Sequence, residues 1–124
     1  MVLIEDHPAS IELAKYNAQF SKLGNLEIIK GKVEDQLTDV LKEDTASKVA
    51  LIDPPRAGLS DAARDLLVKT KAIRNLLYLS CNPQSLARDL KGFISHGWQI
   101  EKIMPFDFFP KTKHLETLVL LNRK

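Results

Sequence analysis

The sequence lacks several features that mark whole classes of protein. It has one cysteine among 124 residues, which excludes an intramolecular disulfide and fits a reducing compartment. No apolar run approaches the ~18 residues that a membrane span needs. The amino terminus has no basic stretch ahead of its short apolar run, which argues against a secretion signal. We therefore expect a cytoplasmic protein.

The sequence also lacks a large excess of one charge sign, a cluster of metal ligands and a cluster of glycines. The net charge is only +2, so composition neither announces nor excludes a nucleic-acid partner. His7, His96 and His114 are scattered and, with a single cysteine, give no metal-ligand spacing, so we expect no metal. The five glycines form no cluster, which leaves this stretch without a glycine-rich nucleotide-binding loop.

Two kinds of hydrophobic pattern alternate along the chain. Short apolar runs predict strands at Val2–Ile4, Leu26–Ile29, Val49–Ile52, Leu76–Leu79, Gln99–Met104 and Leu118–Leu121. Helical spacing predicts helices at Pro8–Lys22, Val33–Leu41, Ser60–Thr70 and Pro83–Ser95. We expect the first helix to stop at Gly24, and the fourth to bury Leu86, Leu90, Phe93 and Ile94. The order predicts one doubly wound α/β domain with a parallel sheet covered on both faces and a final antiparallel hairpin at one edge.

Chemically reactive side chains follow several of the predicted strands. Glu5 follows the first strand, Asp53 the third, and Cys81 the fourth. Ligands of open α/β sheets gather outside the carboxyl ends of the parallel strands. We therefore expect these acids and the thiol to converge on one rim.

Cys81 is the strongest candidate for a functional residue among these. Asn82 suits a helix cap and Pro83 the first helical turn. The thiol would then lie at a helix amino terminus, where the dipole favours a thiolate nucleophile. A small buried core residue is the alternative, because that is the commonest fate of a free cysteine.

The acids and lysines have functional and ordinary interpretations side by side. Asp53 precedes two prolines and could bind a ligand or only stabilise a turn. Glu5 at a strand end could hold ribose hydroxyls, although this signal is weak without a glycine-rich loop. Glu116 at the mouth of the last strand could act as a general base or stand in solvent. Lys111 and Lys113 could meet phosphates or only water. We expect Trp98 to pack in the core or at the rim rather than to stack on bases.

Three strings, in order, resemble the RNA uracil-5-methyltransferase family. They are Asp53-Pro-Pro-Arg-Ala-Gly-Leu59, Tyr78-Leu-Ser-Cys-Asn-Pro-Gln-Ser-Leu-Ala-Arg-Asp-Leu90 and Phe109-Pro-Lys-Thr-Lys-His-Leu-Glu116. The stretch from Glu5 to Asp35 also resembles the segment that follows the family's first strand and helix. The resemblance therefore covers essentially the whole chain and implies a Rossmann-like methyltransferase fold.

The resemblance also implies a role for individual residues. Cys81 matches the nucleophile that adds to carbon 6 of uracil, and Glu116 matches the base that removes the proton from carbon 5. Acids lining the S-adenosylmethionine site match Glu5 and Asp53, and Lys32 falls where a polar residue of that site usually lies. Arg56 matches a supporting or RNA-contacting position. The implied substrate is tRNA or rRNA carrying an unstacked uracil.

One departure from the family concerns the methyl-donor site. The family places a strand and a glycine-rich loop before the position of Val2, and an RNA-binding domain before that. Residues 1–124 would then be a partial catalytic domain, either a fragment of a longer protein or an engineered truncation, with an incomplete S-adenosylmethionine site. Because the resemblance puts the missing strand in mid-sheet, unpaired edges would invite self-association. We expect no methyl transfer by the isolated chain.

Three other interpretations stay open at the level of sequence. RNA cytosine-5 methyltransferases also use a thiol, but with a second cysteine after a proline, and Cys81 is alone. A non-catalytic α/β module that binds RNA or a protein would leave Cys81 inert. A methyltransferase acting on guanine or adenine would need no thiol.

Overall fold

The computed structural model describes residues 1–42, 48–108, 110–112 and 115–123. Its contacts divide the chain into two compact units, Met1–Asp44 and Thr45–Lys124. The prediction of a single domain over 1–124 stays a prediction. Within the described residues, no helix is long and apolar enough to cross a membrane.

The first unit contains two strands and two helices. Strands β1 (Val2–Glu5) and β2 (Glu27–Lys30) pair in parallel, and helices α1 (Pro8–Phe20) and α2 (Val33–Lys42) follow them. Pro8 begins α1 because its missing N–H is not needed in the first turn. A parallel strand–helix–strand unit of this kind is the expected half of a doubly wound fold.

The second unit contains a four-stranded sheet and two helices. The elements are β3 (Lys48–Ile52), α3 (Asp61–Lys69), β4 (Ile73–Ser80), α4 (Pro83–Ser95), β5 (Gln99–Phe106) and β6 (Glu116–Asn122). The strand order is β3-β4-β6-β5, with β3 parallel to β4 and β6 antiparallel to both of its neighbours. The predicted final hairpin at one edge is confirmed.

The core of the second unit lies between one face of this sheet and its helices. Alternate residues of β4 and β6 share that face because side chains along a strand point to opposite sides. Leu76, Tyr78, Val119 and Leu121 are fully buried there. Trp98 is 2% exposed and meets Phe93 edge-to-face at 5.5 Å, so the prediction that Trp98 packs rather than stacks on bases is confirmed.

Two details of the predicted helices are wrong. Helix α1 ends at Phe20, and Lys22 rather than Gly24 takes the left-handed conformation, with φ 54°. The N–H of Leu23 then bonds to the carbonyl of Ala18 and closes the helix end. On α4, Ile94 is 51% exposed because it lies at the margin of the apolar stripe.

The predicted single sheet, covered on both faces, is also not found. The six strands form two sheets, β1-β2 and β3-β4-β6-β5. Val49 and Leu51 of β3 point away from the buried face and are 65% and 71% exposed. Their exposure is physically unusual, because parallel strands normally bury both faces.

Candidate active site

The carboxyl ends of β3 and β4 lie at one edge of the four-stranded sheet. Ile52, the last residue of β3, pairs with Tyr78 of the parallel strand β4. Asp53 and Cys81 therefore leave the sheet at the same edge, from neighbouring strands. Asp53 is exposed and Cys81 is half-buried, so the thiol is not sealed in the core.

The antiparallel strand β6 brings Glu116 to the same edge. Ser80 of β4 pairs with Thr117 of β6. Cys81 directly follows Ser80 and Glu116 directly precedes Thr117, so both residues lie beside the last pair of the two strands, which are about 4.8 Å apart in a sheet. Glu116 is half-buried, and the joint action of the two side chains stays a prediction.

The turn that carries Cys81 is held by hydrogen bonds on both sides of the thiol. Ser80 Oγ accepts from the N–H of Asn82 at 3.2 Å and donates to its carbonyl at 3.1 Å. Asn82 is the N-cap of α4, its side chain accepting from Gln84 N–H at 3.1 Å, and Pro83 is the first helical residue. The predicted cap is confirmed, and it places Cys81 one residue before a helix amino terminus.

Asn82 also connects this turn to the loop after β3. Its Nδ2 donates to the carbonyl of Arg56 at 2.9 Å. The backbone at Arg56 is therefore tied to the residue next to Cys81, while the Arg56 side chain is exposed. Two of the three motifs that carried the family resemblance touch each other here.

A buried carboxylate, which the sequence analysis did not single out, strengthens the same connection. Asp89 of α4 is 0% exposed and accepts hydrogen bonds from the Tyr78 hydroxyl at 2.6 Å and the Leu59 N–H at 2.9 Å. The Arg88 guanidinium donates to it at 2.8 and 3.0 Å, and Arg64 at 3.4 Å. A buried charge is tolerated only when it is paired and hydrogen-bonded in this way.

Arg88 extends the contact along the loop. Its Nη2 donates to the carbonyls of Ala57 at 2.9 Å and Leu59 at 3.2 Å. Gly58 lies between these residues with φ 81°, and a Cβ there would approach Asp89 Oδ2 to 2.5 Å. Only glycine fits both the conformation and the space. We call Arg88, Asp89, Tyr78 and Gly58 the clamp.

The clamp shifts the pKa values of its two buried titratable groups. Burial alone would raise the pKa of Asp89, but hydrogen bonds from Tyr78, the Leu59 N–H and Arg88 outweigh it and lower that pKa. Burial and then the neighbouring Asp89 carboxylate raise the pKa of Tyr78 far above its ordinary value. Asp89 is therefore charged and Tyr78 neutral at pH 7.

The remaining predicted site residues, Glu5 and Lys32, lie in the first unit. Glu5 ends β1, and its Oε1 accepts from the N–H groups of Asp6 at 2.9 Å and His7 at 2.8 Å. Lys32 is exposed and follows β2. Since β1 and β2 are parallel, both residues leave that sheet at one edge.

The two lysines that could meet phosphates lie in the segment before β6. Lys113 and His114 lie outside the described residues, whereas Lys111 is exposed and has φ 68°. In the part of the chain that the structure describes, no three His, Cys, Asp or Glu side chains lie together as a metal site.

Comparison with known families accounts for almost the whole chain. Residues 3–124 match the family model for tRNA (uracil-5-)-methyltransferase. An uncharacterized RNA methyltransferase of Clostridium acetobutylicum is 34% identical over 120 residues, covering 97% of this chain and 26% of its own length. One from Thermosynechococcus vestitus is 41% identical over 119 residues, covering 95% and 26%. The chain thus spans about a quarter of these relatives.

Solved structures share the fold. TrmK of M. capricolum, solved in complex with S-adenosylhomocysteine, superimposes with a TM-score of 0.71 over 99% of this chain and 51% of that one, at 15% identity. At that identity the likeness shows the fold alone. The expected α/β methyltransferase fold, with parallel strands and a final antiparallel hairpin, is confirmed.

Proposed function

Because this chain belongs to the tRNA (uracil-5-)-methyltransferase family, we propose that it carries the catalytic residues for methylating carbon 5 of uracil in tRNA or rRNA. The observation that supports the proposal is the register of β4 against β6, whose last pair, Ser80 and Thr117, is followed by Cys81 on one strand and preceded by Glu116 on the other. A nucleophile and a base on adjacent strand ends are what this chemistry requires.

Cys81 starts the reaction as a thiolate. Carbon 5 of uracil is a weak nucleophile, so the sulfur first adds to carbon 6, forming an S–C bond and moving the π electrons onto carbon 5 and oxygen 4. The resulting enolate can attack an electrophilic methyl group. The half-buried position of Cys81, directly before the N-cap of α4, supports this role because the thiol is not sealed in the core.

Glu116 completes the reaction as a general base. After methylation, carbon 5 is saturated and still carries its hydrogen. The carboxylate takes that proton, the electron pair reforms the ring double bond, and the Cys81 thiolate leaves. The half-buried position of Glu116, beside the last pair of β4 and β6, supports this role.

Glu5, Lys32 and Asp53 are the residues that we assign to the methyl donor, S-adenosylmethionine, which supplies the electrophilic methyl group. A carboxylate has about four acceptor positions. Two N–H groups bond to Glu5, which leaves room for ribose hydroxyls, and exposed Asp53 can accept from an amino group. The acids therefore fit the donor, whereas the sequence offers no glycine cluster for close backbone contacts.

Arg56 is assigned to support of the site and contact with RNA. Its carbonyl is held by Asn82 while its side chain is exposed at the same edge. A guanidinium in that position suits a phosphate beside the target base. We place the reaction in the cytosol, because a reducing compartment keeps Cys81 a free thiol.

Trapping of the covalent adduct tests the proposal. The test uses a polypeptide of the full length of the relatives, with S-adenosylmethionine and RNA containing 5-fluorouracil. A base cannot remove fluorine from carbon 5 as it removes a proton, so the covalent adduct persists. Intact mass should show a stable adduct that Cys81→Ala abolishes. With ordinary RNA, Glu116→Gln should accumulate adduct, while the matched variant Glu27→Gln on exposed β2 should not. No adduct in the unaltered protein would favour a non-catalytic module.

The 124-residue chain by itself is proposed to be inactive. The chain spans 26% of the length of a relative, and we expect the donor to need contacts from the rest of that length. A labelled-donor assay on the isolated chain should give no methylated RNA above background. Methyl transfer that depends on Cys81 would contradict this proposal.

Self-association through β3 is a second consequence that we propose. In the described part of the chain β3 pairs only with β4, and its outward residues Val49 and Leu51 are exposed. An edge strand with an apolar face favours pairing with another chain. Sedimentation velocity should show a concentration-dependent dimer that Leu51→Lys removes and that the control Leu13→Lys, on exposed α1, does not. A monomer at every concentration would contradict it.

A further inference from the structure

A pair of aromatic rings extends the row of reactive strand ends. Phe106 is the last residue of β5 and pairs with Glu116 of β6. The ring of Phe108 stacks on that of Phe106, with centroids 5.6 Å apart and planes 10° from parallel. Both rings face solvent, Phe106 at 37% and Phe108 at 63% exposure. Large exposed aromatic surfaces cost free energy unless they serve a contact.

The strand order fixes the distance of these rings from the thiol. Asp53 and Cys81 directly follow β3 and β4, and Glu116 and Phe106 lie at the neighbouring ends of β6 and β5. Phe106 is thus two strands from Cys81, roughly 10 Å at the usual strand spacing. The spacing per nucleotide along one strand of a duplex is about 3.4 Å and is longer where bases are splayed, so this distance corresponds to about one to three nucleotides along an RNA strand.

We propose that Phe106 and Phe108 form a stacking platform for an RNA base that neighbours the target uracil. This proposal rests on the proposed function, because the uracil defines where the strand passes. A ring stack with an open outer face accepts a further flat base without regard to its identity. Single-stranded RNA loops are recognised in this way, by splayed bases stacked on aromatic side chains. The exposed Lys111 in the following turn adds positive charge for the strand.

The chain supplies a matched control. Tyr16 and Phe20 on α1 also stack, with centroids 6.2 Å apart, and are 63% and 77% exposed. Their i,i+4 spacing on one helix explains that contact without a ligand. Phe20→Leu therefore removes an exposed stacked ring away from the catalytic edge.

The test is binding of a fluorescein-labelled, single-stranded oligoadenylate with one central uridine, measured by anisotropy. The double variant Phe106→Leu/Phe108→Leu should bind roughly tenfold more weakly, and Phe106→Tyr/Phe108→Tyr, which keeps both rings, should bind like the unaltered chain. Phe20→Leu should not change the affinity. A second series carries one abasic site within about three positions of the uridine. One of these probes should lose affinity for the unaltered chain but not for the leucine variant.

Several results would overturn the platform. One is no RNA binding by the unaltered chain, and another is equal binding by the leucine variant. A third is that the leucine substitutions reduce the affinity for the abasic probes as much as they reduce it for the intact probe. A dimer that the leucine variant abolishes without changing RNA affinity would assign the rings to contact between copies. The 5-fluorouracil adduct tests the catalytic proposal separately, since it needs Cys81 and not the rings.

Discussion

Two turns at the ends of parallel strands each carry a predicted site acid, yet they are built differently. The turn after β1 is closed locally, because Glu5 accepts hydrogen bonds from the next two residues of its own chain. The loop after β3, which begins at Asp53, is held from a distance. Asp89, Arg88 and Asn82 of the second unit all bond to it across about 30 residues of sequence.

The difference shows which contacts of this chain hold two motifs in a fixed arrangement. Locally closed turns hold their shape with any neighbours, but they do not position one motif against another. The clamp and Asn82 do so, because they join the loop after β3 to the helix that follows Cys81. We infer that the second unit preorganises the catalytic edge, which a reaction needing atoms in near contact requires.

The largest expected effect comes from removing the clamp carboxylate. Asp89→Ala removes the acceptor of hydrogen bonds from the Tyr78 hydroxyl and the Leu59 N–H, and because bonds to a charged group contribute about 1.5–3 kcal/mol each we expect a loss of about 3–5 kcal/mol. Urea unfolding followed by fluorescence of Trp98, the single buried tryptophan, should show this loss. The control is Asp65→Ala on α3, in the same unit as Trp98, because its ion pair with Lys69 is exposed and should contribute far less. Equal losses would refute the contrast.

Gly58→Ala should have the next largest effect. The left-handed conformation costs a side-chain-bearing residue about 1–2 kcal/mol, and the new Cβ would also push Asp89 and Arg88 apart. We expect a total of roughly 2–4 kcal/mol, again by Trp98 fluorescence. Gly97→Ala is the control, because Gly97 also has positive φ but nothing within 4 Å of its Cβ position. It should lose only the conformational part.

A smaller and reversible effect is expected from pH. The folded pKa of Asp89 is lowered, so its contribution is present above the unfolded value of about 3.9 and is lost as pH falls through the folded value. The folded pKa of Tyr78 is raised, so its contribution is present below about pH 10 and is lost as pH rises further. Tyr78→Phe should remove the alkaline loss and keep the acidic one. If Tyr78→Phe lost as much stability at alkaline pH as the unaltered chain, the assignment would be contradicted.

The sequence predicted the elements well because hydrophobic periodicity is local. All ten strands and helices occur close to their predicted positions, and α4 matches Pro83–Ser95 because its cap and first proline are strong signals. The family predicted from three motifs is confirmed. The roles of Cys81 and Glu116 stay proposals, which the pairing of the neighbouring residues Ser80 and Thr117 supports.

The clamp was not predicted from the sequence, because an aspartate next to an arginine on a helix normally faces solvent. A signal was present all the same. Leu86, Asp89, Leu90 and Phe93 follow the i, i+3, i+4, i+7 spacing of a buried stripe, so Asp89 occupied a core position. The exposure of Val49 and Leu51 could not be predicted, since periodicity does not show what covers a sheet face.

The smallest expected effect tests the local side of the comparison. Glu5→Gln keeps an oxygen that can accept from the N–H groups of Asp6 and His7, so we expect a change of a few tenths of a kcal/mol. Glu5→Ala removes the acceptor and should cost about 0.5–1 kcal/mol. Amide hydrogen exchange at Asp6 and His7 is the direct measurement, and it should accelerate in the alanine variant alone. Asn82→Ala, which loses a helix cap and a bond to another loop, should cost about 1–2 kcal/mol. If Glu5→Ala costs as much, then Glu5 also makes long-range contacts and the two turns are alike after all.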